Sequence, residues 1–279
     1  MLAVIFAVCS LCCSALNDFI FKLFADKPQS RGIFAILVGV VWTVVMAFLP
    51  MDWSHWQATV IWGIISGVFS IAANLMLIEA MGMQSAGICS TIYRLNLVPV
   101  VFGAWLLLGE TISAKNWIGI LFAVIAILCF MAPGKEDGQA KRKLGIYLVI
   151  GAALLRAGMG LSYKYGFEQL ADKNALTMIN GIMWIVGGGF YALIRERDKL
   201  AINKRICTIS ILSGLFVTGI VFFMAASVKL GDASIVLPIA QMSFPITMIL
   251  SMIFLKEKAT VAKWVGIAAA AAAILFLSV

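Results

Sequence analysis

The chain alternates long apolar segments with short polar ones, and this pattern sets the predicted fold. About 20 apolar residues at 1.5 Å per residue form a helix that crosses a hydrocarbon core of roughly 30 Å. Most connections between the segments are short and contain charged residues, glycine or proline. The predicted helices cover residues 2–24, 31–50, 57–81, 84–108, 114–132, 144–168, 174–194, 206–228, 232–255 and 260–278.

A polar linker at residues 133–143 separates five predicted helices from the next five, giving units 1–132 and 144–279. The two units resemble each other at nearly constant offsets. Offsets of 142 to 147 residues match Lys22 with Lys164, Trp42 with Trp184, Ser66-Gly67 with Ser213-Gly214, and Glu110 with Glu257. Because each unit has an odd number of helices, the second must enter the membrane from the opposite side. We therefore predict an all-α polytopic membrane protein with ten transmembrane helices, arranged as two inverted five-helix repeats around a central cavity.

Composition and charge agree with a membrane protein and orient it. Of the 279 residues, 63% are hydrophobic and 12% are charged, which leaves too little polar surface to cover a soluble domain. The formal charge of +8 is expected in loops at a membrane face, so no nucleic acid partner is expected. One face receives 14 lysines and arginines in its connections and the other receives three. The positive-inside rule predicts a cell membrane protein with a cytoplasmic linker 133–143 and extracytoplasmic termini.

The sequence lacks the residue patterns of an enzyme. Its six cysteines lie in or beside apolar runs and are expected to be packing residues, and His55 is the only histidine. The patterns HExxH, P-loop and nucleophile elbow are absent. We therefore expect no enzymatic activity, no cofactor and no metal.

Each half ends with the same motif. Residues 99–110 (PVVFGAWLLLGE) precede WIG at 117–119, and residues 245–257 (PITMILSMIFLKE) precede WVG at 264–266. These motifs resemble the end of an EamA domain of the drug/metabolite transporter superfamily, although Lys256 stands where the motif usually has glycine. The resemblance covers nearly the whole chain as two tandem domains. It implies ten helices, a cavity between the repeats and transport of small metabolites, without naming a substrate.

Two arginines are predicted near the middle of the membrane. Arg94 lies ten residues into its helix and Arg156 twelve, or about 15 and 18 Å at 1.5 Å per residue. A guanidinium facing lipid at that depth costs at least about 2.5 kcal/mol, so both must face a cavity, water or a partner. Binding of an anionic solute is the first interpretation. The alternative is structural pairing, for which Asp18 and Glu79 are the acids well inside spans.

Other polar and aromatic residues are candidates by position, each with a packing role as its alternative. The predicted substrate-binding set is Arg94, Arg156, Tyr93, Tyr163, Gln241, Asn17 and Trp184. The predicted coupling or gating set is Asp18, Glu79, Lys22 and Lys164. Pro99, Pro238 and Pro245 are expected to interrupt their helices.

These features predict a secondary transporter that moves a small polar metabolite by alternating access. The metabolite is an amino acid or another organic solute, with an anionic group to match the arginines. Asp18 or Glu79 would carry a proton if transport is coupled, and the protein is expected to be a monomer or a homodimer in the bilayer. The alternative is a non-transporting membrane interaction or scaffold protein whose buried charges are structural.

Overall fold

A computed structural model describes residues 2–27, 29–108, 112–131, 139–196, 202–230, 239–257 and 260–277. These residues are predominantly helical and contain no β-strand. The helices are α1 (Leu2–Ala25), α2 (Arg31–Ala47), α3 (Trp56–Met81), α4 (Ala86–Arg94), α5 (Leu97–Leu108), α6 (Ala114–Met131), α7 (Gln139–Glu168), α8 (Lys173–Arg195), α9 (Lys204–Leu230), α10 (Phe244–Leu255) and α11 (Val261–Leu277).

The helices correspond to the ten apolar segments that the sequence predicts. Within the described ranges, six helical segments are long and apolar enough to cross a bilayer, and one of them runs from α4 into α5. Four shorter apolar segments cover residues 31–47, 114–130, 239–255 and 261–277. The sequence therefore located the segments correctly, while several of their ends differ.

The fourth segment, predicted for residues 84–108, is interrupted near Pro99, as the sequence predicts. Helix α4 ends at Arg94 and α5 begins at Leu97, with Pro99 in its first turn. Proline has no N–H to donate, so it is tolerated in a first turn, where that N–H has no intrahelical acceptor. Pro245 has the same place in the first turn of α10, and Pro238 lies outside the described residues. The break leaves Arg94 at a helix C-terminus, where the helix dipole favours a cation.

Two further helix ends differ from the prediction. Helix α2 ends at Ala47 rather than at residue 50, because a residue that precedes a proline such as Pro50 disfavours the helical conformation. Helix α7 begins at Gln139, five residues before the predicted start. Residues 139–143 are Gln, Ala, Lys, Arg and Lys, all good helix formers, so the helix extends into the predicted linker. Residues 132–138 lie outside the described part of the chain.

Helices from the two halves pack against each other in pairs, with α2 on α8, α3 on α7, α1 on α9 and α6 on α11. Glycines bring α2 and α8 close together. A Cβ atom added at Gly32 would lie 2.6 Å from the carbonyl oxygen of Gly188, and one at Gly39 would lie 2.7 Å from that of Gly181. Small residues at helix interfaces let backbones approach in this way. The crossing of α2 and α8 therefore joins the halves along a glycine-lined contact.

The inside of the bundle is filled by aromatic and aliphatic side chains, and the outside is apolar as well. Trp184, Phe24 and Phe34 are fully or almost fully buried in the main core. Leu106 on α5 is 73% exposed and Phe190 on α8 is 66% exposed, with many other large apolar side chains exposed around them. Soluble proteins rarely expose apolar surface on this scale, so the outer surface fits a lipid environment.

Candidate solute-binding cavity

A cavity of about 920 Å³ lies between the two halves. This volume is within the range of pockets that enclose small organic ligands. Seven helices contribute to the wall, namely α1, α2, α3, α4, α7, α8 and α9. The lining residues are Ser14, Asn17, Asp18, Trp42, Leu49, Ser70, Asn74, Tyr93, Arg94, Arg156, Met159, Tyr163, Phe167, Lys173, Asn174, Thr177, Trp184, Val217, Ile220, Val221, Phe222, Met224 and Ala226.

The cavity runs from mid-span to one face of the bundle. We call this the terminal face, where α1 begins and α2 and α7 end. Leu49, Lys173 and Asn174 lie at helix ends on this side and form part of the wall. The opposite side, where α1 and α3 end and α2 and α4 begin, is the basic face. The cavity wall has no described residue at the helix ends of the basic face.

Arg94 is held by a buried polar cluster at the cavity wall. Its Nη2 atom lies 3.2 Å from Oδ2 of Asp18 and also donates to the hydroxyl of Ser14. The hydroxyl of Ser90 donates to the same Asp18 oxygen at 2.6 Å. Both charged residues are more than 90% buried. The cluster therefore ties α1 to α4 and neutralises the charge of Arg94.

Arg156 lies in an aromatic setting. Its Nη1 atom is 3.5 Å from the Tyr93 hydroxyl, and its guanidinium carbon is 5.4 Å from the centre of the Tyr93 ring. Tyr163, two turns further along α7, donates to Asn180 at 2.8 Å. The amide of Asn180 donates in turn to Ser66 at 2.9 Å. This chain of hydrogen bonds fixes the tyrosine on one wall of the cavity.

Trp184 and Asn17 complete the wall through contacts between helices. The indole N–H of Trp184 donates to Ser70 at 2.9 Å, and its ring meets Trp42 edge-on with 5.9 Å between ring centres. Asn17 accepts a hydrogen bond from the hydroxyl of Ser213 at 2.7 Å. Both residues line the cavity, and each uses a polar group of its side chain for a hydrogen bond to another helix. These hydrogen bonds fix their orientation without a ligand.

The basic face is closed beneath the cavity by a cluster around Lys22. Its amino group lies 2.9 Å from Asp26 and 3.8 Å from Glu257, and it donates to the backbone carbonyls of Met81 and Gln84. These contacts join the end of α1 to the connection between α3 and α4 and to the segment after α10. They close the basic face at the end of α1.

Glu257 also contacts the start of α4. One carboxylate oxygen accepts from the backbone N–H of Ala86 at 3.2 Å, at a helix N-terminus where a negative charge is favoured. The preceding Lys256 ends α10 in the left-handed conformation, with φ of 54°. That conformation favours glycine, which explains why glycine is usual at this place in the resembling motif.

A second set of contacts closes the same face beside α2. Glu79 forms an ion pair with Arg31 and accepts from the Tyr191 hydroxyl at 2.5 Å. Glu196, which directly follows α8, accepts from the Ser30 hydroxyl at 2.7 Å and from the backbone N–H of Gly32 at 3.0 Å. The carboxylates therefore hold the start of α2 against α3 and α8.

The cavity brings together most of the predicted binding residues. The predicted residues that line it are Asn17, Tyr93, Arg94, Arg156, Tyr163, Trp184 and, from the coupling set, Asp18. Gln241 is half-buried and is not among the lining residues. Glu79 and Lys22 lie at the basic face, and Lys164 is exposed on α7. The functional roles of all these residues stay predictions.

The sequence analysis did not predict the roles of Trp42 and Glu196. Trp42 lines the cavity beside Trp184, and the repeat that matches these two tryptophans was a usable signal. Glu196 is buried and caps the start of α2, yet it lies in a run of alternating charge that is typical of a surface loop. No local pattern distinguishes it from its neighbours, because its partners are more than 160 residues away.

The fold and the cavity define a polytopic helical membrane protein with a cavity of solute size. Comparison with known proteins specifies the class. A model of the EamA-like transporter family matches residues 1–132 and 143–279, so the chain belongs to this family and contains two tandem EamA domains.

Individual relatives agree with this assignment. A riboflavin transporter of Brucella anthropi is 26% identical over 216 residues, which cover 70% of this chain and 73% of the relative. A solved crystal structure matches with a TM-score of 0.64 at 13% identity, covering 98% of this chain and 95% of that one. That structural likeness shows a shared fold. Family and relative together support a membrane transporter.

Proposed function

We propose that this protein is a secondary transporter of a small polar metabolite that carries an anionic group. The main support is the position of Arg94 and Arg156, two mid-span cations in the wall of a cavity that reaches one face of the bundle. Charged residues at membrane depth are costly and commonly mark a substrate or ion pathway. An anionic group would gain from charge-assisted hydrogen bonds to a guanidinium in a partly buried site.

An inverted repeat of units 1–132 and 144–279 would give such a cavity two ways to open. The packing of the helices supports this arrangement, since α1 of the first half contacts α9 of the second, as its counterpart α7 of the second half contacts α3 of the first. At the offset of 142 residues Gly39 is equivalent to Gly181, and the two meet at the crossing, as expected if a two-fold axis passes between α2 and α8.

The contrast between the two faces supports a proposal of alternating access. The cavity reaches the terminal face, while Lys22, Glu79 and their partners close the basic face. In the opposite state these contacts would separate, and the equivalent helix ends at the terminal face would close. Lys164, the repeat counterpart of Lys22, is the candidate to act there. Glu110, the counterpart of Glu257, lies outside the described residues.

The positive-inside rule predicts that the protein lies in a cell membrane with its basic face and the linker 133–143 on the cytoplasmic side. Both termini would then be outside the cytoplasm. The described state would then open away from the cytoplasm. Asp18 is the acid that lines the cavity among the described residues, so it is the candidate proton carrier if transport is coupled. Gln241 would contribute to binding after a rearrangement of its half of the bundle. A monomer or a homodimer fits this mechanism.

The experiment that tests this proposal is flux into liposomes containing the purified protein. The panel contains amino acids, other organic acids and riboflavin, the last because a relative is named a riboflavin transporter. Saturable flux of an anionic solute supports the proposal. Flux of riboflavin alone keeps the transport function and rejects the anionic substrate. Absence of flux for the whole panel, from protein that is folded, favours the interaction or scaffold alternative.

A further inference from the structure

The two arginines of the cavity differ in how their charge is compensated. Arg94 is 3.2 Å from the Asp18 carboxylate and also contacts Ser14. The pair is buried, and Ser90 donates a further hydrogen bond to the same carboxylate. An added anion near Arg94 would be repelled by Asp18 at close range. The charge of Arg94 is therefore balanced by Asp18 within the protein.

Arg156 has no such acid. Lys22 pairs with Asp26 and Glu257, Arg31 with Glu79, and Arg94 with Asp18. Arg156 takes part in none of these pairs, and its guanidinium contacts the Tyr93 hydroxyl at 3.5 Å. A phenol is neutral near pH 7 and cannot balance a guanidinium. Arg156 thus brings to the cavity wall a positive charge that, among the described residues, has no carboxylate at ion-pairing distance.

The surroundings of Arg156 are already organised for a planar acidic group. The ring of Tyr93 lies 5.4 Å from the Arg156 guanidinium carbon and 5.9 Å from that of Arg94, so it stands between the two cations. On the other side, Tyr163 is fixed by its hydrogen bond to Asn180. Walls that are set before binding lower the entropy lost when a ligand arrives.

The rest of the cavity is suited to an apolar body. Trp42 and Trp184 line the cavity and meet edge-on, and the indole N–H of Trp184 is already bonded to Ser70. Met159 and Val217 extend this apolar wall. A solute with one acidic end and an apolar or aromatic remainder matches this division of the cavity.

We infer that Arg156, rather than Arg94, binds the anionic group of the solute, beside Tyr93 and Tyr163. The ligand class is an organic acid with an apolar or aromatic body. This inference rests on the proposed transport function, whose binding group it specifies. Arg94 and Asp18 are in this scheme a compensated pair that holds α1 and α4 at the cavity wall.

The test compares two probes of the same shape, 3-phenylpropionate and its neutral amide 3-phenylpropionamide. Their affinities for the purified full-length protein are measured by calorimetry. The wild type should bind the acid at least about tenfold more tightly than the amide, because only the acid forms charge-assisted hydrogen bonds with a guanidinium. Arg156→Gln should lower the affinity for the acid to that for the amide and leave the amide unaffected.

A double variant is the matched control. Asp18→Asn with Arg94→Gln removes the buried pair as a unit and should keep the preference for the acid. Arg156→Lys should retain part of it, since an ammonium keeps the charge without the planar fork. This variant decides the question if Arg156→Gln does not fold. An undiminished preference in the Arg156 variants, its loss in the double variant, or the absence of a preference in the wild type would overturn the inference.

Flux measurements on the same preparations separate this inference from the proposed function. Transport of other solutes without a preference for the acid rejects the role of Arg156 and keeps the transporter. A preference for the acid without any flux keeps the binding role of Arg156 and rejects transport.

Discussion

Arg94 on α4 and Asp18 on α1 form a buried ion pair, with 3.2 Å between Nη2 and Oδ2. The two residues are 76 positions apart in the sequence, and α4 ends at Arg94. Ser14 and Ser90 add hydrogen bonds to the pair, while the Nε atom of Arg94 is buried without a hydrogen-bond partner. The pair favours the structural interpretation of Arg94 that the sequence had left as an alternative.

The first prediction concerns this pair. Arg94→Gln should destabilise the protein by about 3–5 kcal/mol, because it leaves the Asp18 carboxylate buried without a counter-charge. Thermal unfolding in detergent and abundance in the membrane measure the effect. Adding Asp18→Asn should recover much of the lost stability, since the double variant has neutral amide side chains at both positions and buries no unpaired charge. Normal abundance of Arg94→Gln together with lost solute binding would show that Arg94 binds the ligand.

The sequence predicted the helical segments well because hydropathy is a local property. An interruption of the fourth helix was expected from Pro99, but its place between Arg94 and Leu97 was not predicted, since a proline is also compatible with a continuous kinked helix. Mid-span depth was enough to select Arg94 and Arg156 as cavity residues. The partner of Arg94 was one of two open choices, because the contact depends on how α1 is rotated against α4. That rotation is set by packing across the whole bundle.

The second prediction tests the crossing of α2 and α8. A Cβ at Gly188 would lie 2.8 Å from the carbonyl oxygen of Gly32 and 2.9 Å from the Cβ of Ala35. Gly188→Val should therefore force the helices apart and cost about 1–3 kcal/mol or more, measured as reduced abundance and a lower unfolding temperature.

The neighbouring glycine provides the control. A Cβ at Gly189 meets nothing within 4 Å, so Gly189→Val should leave abundance near the wild-type level. Equal effects of the two substitutions would show that the close approach does not limit the stability of the bundle.

The third prediction concerns orientation in the membrane. Ser54 is exposed on the terminal face, and Ile202, 69% exposed, lies just before α9 at the basic face. In a background without native cysteines, a membrane-impermeant maleimide should label Ser54→Cys in intact cells and Ile202→Cys only after permeabilisation. The excess of lysine and arginine at the basic face is the physical reason. The reverse labelling pattern would show the opposite orientation in the membrane, with the cavity open toward the cytoplasm.

The fourth prediction concerns Glu257 at the closed basic face. Burial raises the pKa of this carboxyl, and Asp26 raises it further, while Lys22, the Ala86 N–H and Lys263 lower it. The net pKa is above the usual range of a glutamate, so the cost of burying the charged form is larger than the gain from its partners. The carboxyl therefore binds its proton more tightly in the folded protein than in the unfolded chain.

The sign of the pH effect follows from this difference. Below the pKa of an unfolded glutamate, about 4.3, the carboxyl is protonated in both states and its favourable contribution is fully present. As the pH rises through the higher folded pKa, the buried group must ionise and that contribution is lost. Glu257→Gln stays neutral, so its unfolding temperature relative to wild type should increase with pH above roughly 4.3 and then level off. A difference that is constant with pH, or that decreases, would mean that the partners of Glu257 outweigh its burial.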